Sequence, residues 1–505
     1  MKLRRDTPPE GTLRDWIDAR AEAGGPAMVF PDEGTAVDWP ELRSRVRAIA
    51  GRLTAKGVAH GESVAIMQPN GLAAIEAIYG ALYGGFRATM INLVAGAEAI
   101  GYALEHSGAR VAMVHPTQQE VFRRVNPGGR IAALDLAEQT QSVELHPVAP
   151  GDHALLMYTS GTTGRPKGVV HTQSSLLAGG WTTAIAHDLS PVDTGLCVLP
   201  IYHINGLCVS VMGTLVSGGQ LAMCARFSAS RFWAQTAETR ATWFSVVPTI
   251  VSHLLHGDRA PDPETRARLR FGRSASSPLP IEVHSAFETR FDVPIIETMG
   301  LTETSAQILS NPLPPDTRRI GSPGLAYGNR AEVAGPDMRP LPPGVEGEII
   351  VKGPNVMLEY LRNPEATRNS FTPDGWLRTG DLGRKDAEGY FYVTGRLKEL
   401  IIKGGENIAP REIDEVLYAH PDVVEAAAFS CPCPRYGERV EAAVSVKHGS
   451  ALTPDDLLRL CEDRLGVFKC PDRIHFLDEL PKGPSGKIQR AKLQKLLGPE
   501  FESNI

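Results

Sequence analysis

The sequence has no strong charge of either sign. Lys and Arg number 52 against 58 Asp and Glu, a formal net charge of −6. That removes any global electrostatic case for nucleic acid as a partner. No leader is expected, because charges and prolines interrupt Met1–Trp16 and no apolar run follows. The closing Glu502-Ser503-Asn504-Ile505 carries no peroxisomal address. Fixed-period repeats and low-complexity tracts are absent. The seven cysteines are odd in number and scattered, which fits a reduced cytoplasm better than a disulfide framework. Cys431-Pro432-Cys433 has too few neighbouring ligands for zinc and reads as part of a loop. One stretch, 195–225, is long and almost free of charge. Pro200, His203, Asn205, Gly213, Gly218 and Gly219 break it, so a buried strand, a turn and a buried helix are expected there, with no membrane span.

What remains is an ordinary globular composition, 42% hydrophobic and 22% charged, in a chain of 505 residues, too long for one core. Residues 40–60 and 71–86 show helical spacing, and Val64–Met67 and Val111–Val114 look like strands between helices. This alternation predicts an α/β fold with parallel sheets covered by helices, continuing to about residue 300. From about 320 to 395, short strands with Gly/Pro punctuation predict a small β-lobe. After Gly395 a compact α+β unit is expected. Its elements are a helix from Pro410 to His420, strands at 423–430 and 439–447, a helix over Pro454–Leu465 and a strand from Arg473. The expected division is a large domain over 1–395 and a small, mobile domain over 396–505.

The most specific motif is Tyr158-Thr159-Ser160-Gly161-Thr162-Thr163-Gly164-Arg165-Pro166-Lys167-Gly168, after the apolar run Ala154–Met157. Small residues let backbone N–H groups turn inward on a polyanion, hydroxyls add donors and Lys167 adds charge. No Ser or Thr follows the lysine as the Walker pattern requires. In order and spacing this string resembles the adenylate-forming superfamily, which contains acyl-CoA synthetases, adenylation domains of peptide synthetases and beetle luciferases. The resemblance runs over about residues 10–495.

It implies ATP, Mg²⁺ and coenzyme A as cofactors and a small-molecule carboxylic acid as substrate. In Gly300-Leu301-Thr302-Glu303-Thr304, Thr302 is implied to contact phosphate and Glu303, with Thr162, to hold Mg²⁺. An oxygen-donor carboxylate suits that hard cation. Gly300 is implied to border the substrate. Met299 stands where the family usually stacks an aromatic on adenine, and a thioether can also pack on a flat ring. Arg273-Ser274-Ala275-Ser276 resembles the loop lining adenine and the acyl site, which makes Ser276 a binding residue. Asp381, in Trp376–Asp381, is the implied ribose ligand. Arg396 is implied to reach ribose or phosphate, Lys398 to be the hinge, and Gly404 and Gly405 to line the thiol tunnel. Lys487 is the implied catalytic lysine, and His203 a member of the acyl pocket. Alone, a Thr-Glu pair would be a helix start, a lysine a solvated charge and a histidine in an apolar run a core residue.

Ser310-Asn311-Pro312-Leu313-Pro314, together with Arg273–Ser276, resembles the branch that contains oxalate–CoA ligases. Malonate–CoA ligases share a similar Ser-Asn-Pro but usually carry Arg-Tyr where this chain has Thr298-Met299. The expectation is an AMP-forming acid–CoA ligase for a short acid with a second polar or anionic end, such as oxalate or a sulfonated acetate, with His203 and Arg226 as candidate partners of that end. The competing readings are a ligase for medium-chain or aryl acids, an enzyme that loads a carrier protein, and a non-catalytic nucleotide sensor.

Overall fold

The computed structural model describes residues 2–134, 143–159, 166–483 and 486–498. Two largely parallel sheets form the bulk of the molecule. In one, the strand order runs Glu359–Tyr360, Lys167–Thr172, His153–Thr159, Arg87–Met90, Ser63–Met67, Val111–Val114, Ala132–Ala133. The other runs from Leu325–Ala326 through Ala306–Ser310, Ile295–Leu301, Phe271–Ser274 and Trp243–Val246 to Thr194–Cys197, and continues to Thr35–Asp38. The helix Gln173–Ala186 lies between them and contacts His153–Thr159 and Lys167–Thr172 of the first sheet and Ala306–Ser310 of the second. Covered on both sides, it is buried almost throughout and carries no charged residue. Its glycines permit the approach: a Cβ on Gly180 would sit 2.6 Å from the Met212 carbonyl oxygen.

A four-stranded antiparallel sheet, Arg330–Ala334, Gly347–Lys352, Leu377–Lys385 and Phe391–Arg396, forms the β-lobe. Beyond it, Ile401–Lys403, Glu406–Ile408, Val423–Cys433, Gly437–Val446 and Arg473–Phe476 make a separate sheet. It has its own core around Ile401, Ile413, Leu417, Val440 and Leu457.

Several expectations hold in detail. The helices fall at Trp39–Ala55 and Leu72–Tyr83, and Pro410 opens a helix that ends at Tyr418. The helix from Pro454 is regular to Leu465, where Gly466 at φ 74° breaks it. Stretch 195–225 forms a strand, a π-helical turn over Asn205–Met212, the short helix Gly213–Ser217 and a second strand. Among the described residues no helix is long and apolar enough to cross a membrane. One expectation fails. Cys431 and Cys433 are in a strand and not a loop, opposite Arg439 and Gly437, because the ladder of Val423–Cys433 with Gly437–Val446 continues past Pro432 to the hairpin.

His187 caps the C-terminal end of Gln173–Ala186, its Nδ1 2.8 Å from the Thr183 carbonyl and its ring stacked on Phe271 at 5.1 Å. Burial lowers its pKa to about 3. The unfolded chain would bind a proton near pH 6.5 that the folded chain refuses, so stability falls as pH drops through that window, by up to about 1.4 kcal/mol per pH unit. His187→Leu should therefore flatten the pH dependence of urea unfolding between pH 6.5 and 4.5 by up to one proton. Equal slopes for the two proteins would contradict this.

Candidate active site

The strands His153–Thr159 and Lys167–Thr172 pair antiparallel with Thr159 opposite Lys167, so they fix both ends of the phosphate-loop motif. Ser160, Gly161, Thr162, Thr163 and Gly164 lie outside the described residues. The Lys167 ammonium sits 4.6 Å from the centre of the Tyr360 ring. Tyr360 in turn donates its hydroxyl to Glu303 Oε1 at 2.7 Å. The loop lysine and the Thr302-Glu303 segment are thus joined through one phenol, which the sequence motifs do not include. Its edge strand pairs with Lys167–Thr172, Tyr360 opposite Val169, and this pairing brings it there.

Thr302 and Glu303 occupy a single 3₁₀ turn whose exit bends through Ser305 and Ala306 at φ 47° and 80°. Non-glycine residues in this region are costly unless their surroundings hold them. Here His171 does so, with Nε2 2.6 Å from the Thr302 carbonyl and Nδ1 2.9 Å from Ser305 Oγ. The carbonyl can only accept, so Nε2 carries the proton and Nδ1 accepts from the hydroxyl. Burial lowers the His171 pKa to about 4 and keeps the ring neutral. Asn355 Nδ2 donates to the Thr304 and Gln307 carbonyls, 2.9 Å each. Gly300 is required just before the turn, where a Cβ would fall 1.3 Å from the Ala306 carbonyl oxygen. Met299 is half-buried against the core of the β-lobe.

Among the described residues no three His, Cys, Asp or Glu side chains converge as a metal cage. Glu303, half-buried beside Thr302, suits a cation that takes most of its oxygens from phosphate.

A second cluster forms where the small sheet meets the rest. Asp381 and Arg396 lie opposite each other on neighbouring strands, Oδ1 to Nε 3.2 Å. Burial pushes the Asp381 carboxyl up, opposed by Arg396 and Lys487. Lys487 Nζ is 3.9 Å from Glu399 Oε1, and Arg490 bridges Glu399 at 3.5 Å and Asp414 at 2.5 Å. Burial lowers the Lys487 pKa and the charge of Glu399 opposes that. Lys487, Asp381, Arg396 and Glu399 line one cavity of about 140 Å³, whose other wall includes Thr249, Ser277 and Pro278. Helix Pro248–His256 holds the small unit in this pose: Thr249 Oγ1 donates to the Gly486 carbonyl at 3.1 Å, and Ser252 Oγ donates to the Val424 carbonyl at 2.6 Å.

Ser276 adjoins this wall at φ 79°, its hydroxyl accepting from Asn205 Nδ2 at 3.2 Å. His203 is nearby in the chain, and its Nε2 is buried without a partner among the described residues. Burial lowers its pKa to about 4. Arg226 is exposed on the loop after Gln220–Met223, so it gives no support to a pocket role. The structure does not bring Gly404 and Gly405 to the cavity. At φ 60° and 88° they form an exposed hairpin turn, with the Gly404 amide bonded to the Tyr436 carbonyl at 2.8 Å. Lys398 is exposed just beyond Arg396.

Taken together, a strand-held phosphate-loop motif, a carboxylate suited to a phosphate-bound cation and a buried carboxylate–lysine cluster define an enzyme that activates its substrate with a nucleotide. The AMP-binding enzyme family matches residues 16–361, and its AMP-binding enzyme C-terminal domain matches 412–487. The chain belongs to this family, and it is an AMP-forming acid–CoA ligase. It is 45% identical to a sulfoacetate–CoA ligase of Cupriavidus necator, over 93% of this chain and 94% of that one. To an oxalate–CoA ligase of Arabidopsis thaliana it is 34% identical, over 89% and 91%. ATP-bound MatB from Rhodopseudomonas palustris superposes with a TM-score of 0.88 at 29% identity, covering 96% of this chain and 99% of that one.

Tyr360→Phe deletes the donor to Glu303 while keeping the ring beneath Lys167. A hydrogen bond to a charged group contributes about 1.5–3 kcal/mol, so the KM for Mg·ATP should rise at least roughly tenfold. Steady-state kinetics at saturating acid would show it, and an unchanged KM would separate Tyr360 from nucleotide binding.

Proposed function

We propose that the chain activates a short acid whose far end carries a second anionic group, sulfoacetate being the type, and transfers it to coenzyme A. The observation that supports the site assignment is the convergence of Lys487, Asp381 and Arg396 on one cavity, while the Gly404–Gly405 hairpin stays outside. In the first half-reaction the substrate carboxylate attacks the α-phosphorus of ATP and pyrophosphate leaves. Lys487 is the catalytic cation. It neutralises charge that grows on the carboxylate and α-phosphate oxygens in the transition state. Asp381 accepts the ribose hydroxyls, and Arg396 holds Asp381 charged despite its burial. Thr302, Thr159, Lys167 and the loop 160–164 bind phosphate. Glu303 and Thr162 would hold Mg²⁺, which would supply charge neutralisation to the phosphates.

In the second half-reaction residues 396–505 turn about Lys398, withdraw Lys487 and bring Gly404 and Gly405 to the site. The thiol of coenzyme A then displaces AMP from the acyl carbon. The substrate class draws on the sulfoacetate and oxalate specificities of the two relatives. It also draws on Thr298-Met299, which lacks the arginine that malonate ligases usually carry there.

Competition among sulfoacetate, oxalate, malonate, octanoate and benzoate tests the substrate. The highest kcat/KM should belong to a small dianion other than malonate, and a preference for octanoate or benzoate would overturn the reading. Lys487→Ala should slow acyl-AMP formation by two or more orders of magnitude, from the loss of about 3–4 kcal/mol of charge stabilisation. Thioester formation from supplied acyl-AMP should be largely spared. Equal losses in both half-reactions would contradict the alternating arrangement.

A further inference from the structure

Arg273 is among the largest fully buried side chains, 1% exposed on the strand Phe271–Ser274. Its Nη1 donates to Asn205 Oδ1 at 2.8 Å and to Ser245 Oγ at 3.3 Å, both neutral acceptors. Its Nε is buried with no partner among the described residues. Among the described residues it forms no ion pair with a carboxylate, whereas the half-buried Arg490 has Asp414 and Glu399. A guanidinium shut away from water without an anion is costly, and a protein that keeps one there has a use for the charge.

The surroundings indicate the use. Asn205 bridges Arg273 to Ser276, accepting from the one and donating to the other. Ser276 holds a strained left-handed backbone, and the next residue, Ser277, lines the cavity that contains Lys487. A hydrogen-bonded row therefore runs from Arg273 through Asn205 to Ser276, and ends next to Ser277 on the wall of the cavity that Lys487 also lines. His203, with its own unpartnered Nε2, stands two residues before Asn205. We infer that Arg273 is a specificity-determining residue, the cation that binds the far anionic group of the acid, sulfonate or carboxylate. The planar fork of a guanidinium suits either group, offering two parallel N–H donors to two oxygens. A single-chain acid without that group would leave the charge unanswered, so the site selects against it.

This rests on the proposed substrate class, and the experiment separates the two. Wild type, Arg273→Gln and Asn205→Asp are compared on sulfoacetate and on propionate, which lacks the far charge. Asn205→Asp places a carboxylate at the hydrogen-bond position Arg273 already uses, so it answers the charge while leaving the arginine in place. Both variants should lower kcat/KM for sulfoacetate at least a hundredfold relative to that for propionate. The ratio of the two acids is the readout, because a merely structural role would lower both alike. A wild type that does not prefer sulfoacetate overturns the substrate reading and this inference together. A wild-type preference that survives both substitutions, or equal losses on both acids, overturns the role of Arg273 alone. If Arg273→Gln does not fold, Asn205→Asp decides by the same ratio.

Discussion

The arrangement of this enzyme depends on a balance of charge at one seam. Asp381 is buried, and an ionised carboxylate there is tolerable only because Arg396 lies 3.2 Å away and Lys487 faces the same cavity. Glu399 answers Lys487, and Arg490 answers Glu399 and Asp414. No member can leave without exposing the charge of another. Lys487 and Arg490 belong to the last part of the chain and Asp381 to the β-lobe, so the network also fixes the pose of the small unit. In the proposed cycle Lys487 must withdraw after the first step. The seam suits that demand because water, or the ligand's own charges, can replace partners that are only partly buried.

Much of this was legible in the sequence. Helix and strand periodicity placed Trp39–Ala55, Leu72–Tyr83 and the strands between them, and the helix expected over Pro454–Leu465 is regular over that span. The motifs placed Glu303, Asp381, Arg396 and Lys487 as separate candidates, and folding gathers the last three round one cavity. What escaped were residues outside the motifs whose role depends on which element packs beside them. Tyr360 reaches Glu303 only because an edge strand of two residues joins Lys167–Thr172. His171 clamps the Thr302 turn across the gap between two sheets. Neither is marked by local spacing. Arg273 sat inside a quoted motif, yet its lack of an anionic partner is a property of the packed interior. The cysteines at 431 and 433 were read as part of a loop once zinc was set aside, whereas the ladder continues to Gly437.

The two ends of the site divide the chemistry. Around Glu303 and Lys487 the groups are half-buried and ionic, suited to a nucleotide that brings its own charge and cation. Arg273 and Asn205 are buried, His203 is half-buried with its Nε2 inside, and only the arginine is a cation, so the proposed small acid would meet one strong charge there. In the proposed reading a short dianion spans from one to the other. A strained Ser276 sits between them, and a strained Ser305 and Ala306 follow the Thr302–Thr304 turn. Backbone cost is thus concentrated where position matters most.

The central claim is that one pose of the small unit serves adenylate formation and another serves thioester formation. Ser252 Oγ donates to the Val424 carbonyl across the seam at 2.6 Å, so a covalent link between these two positions is designed to hold the observed pose. Single-turnover assays of the oxidised Ser252→Cys, Val424→Cys enzyme test the claim most directly. The account predicts pyrophosphate release at close to the wild-type rate, with thioester formation abolished until a reductant is added. Thioester formation at the wild-type rate with the bridge intact would contradict it.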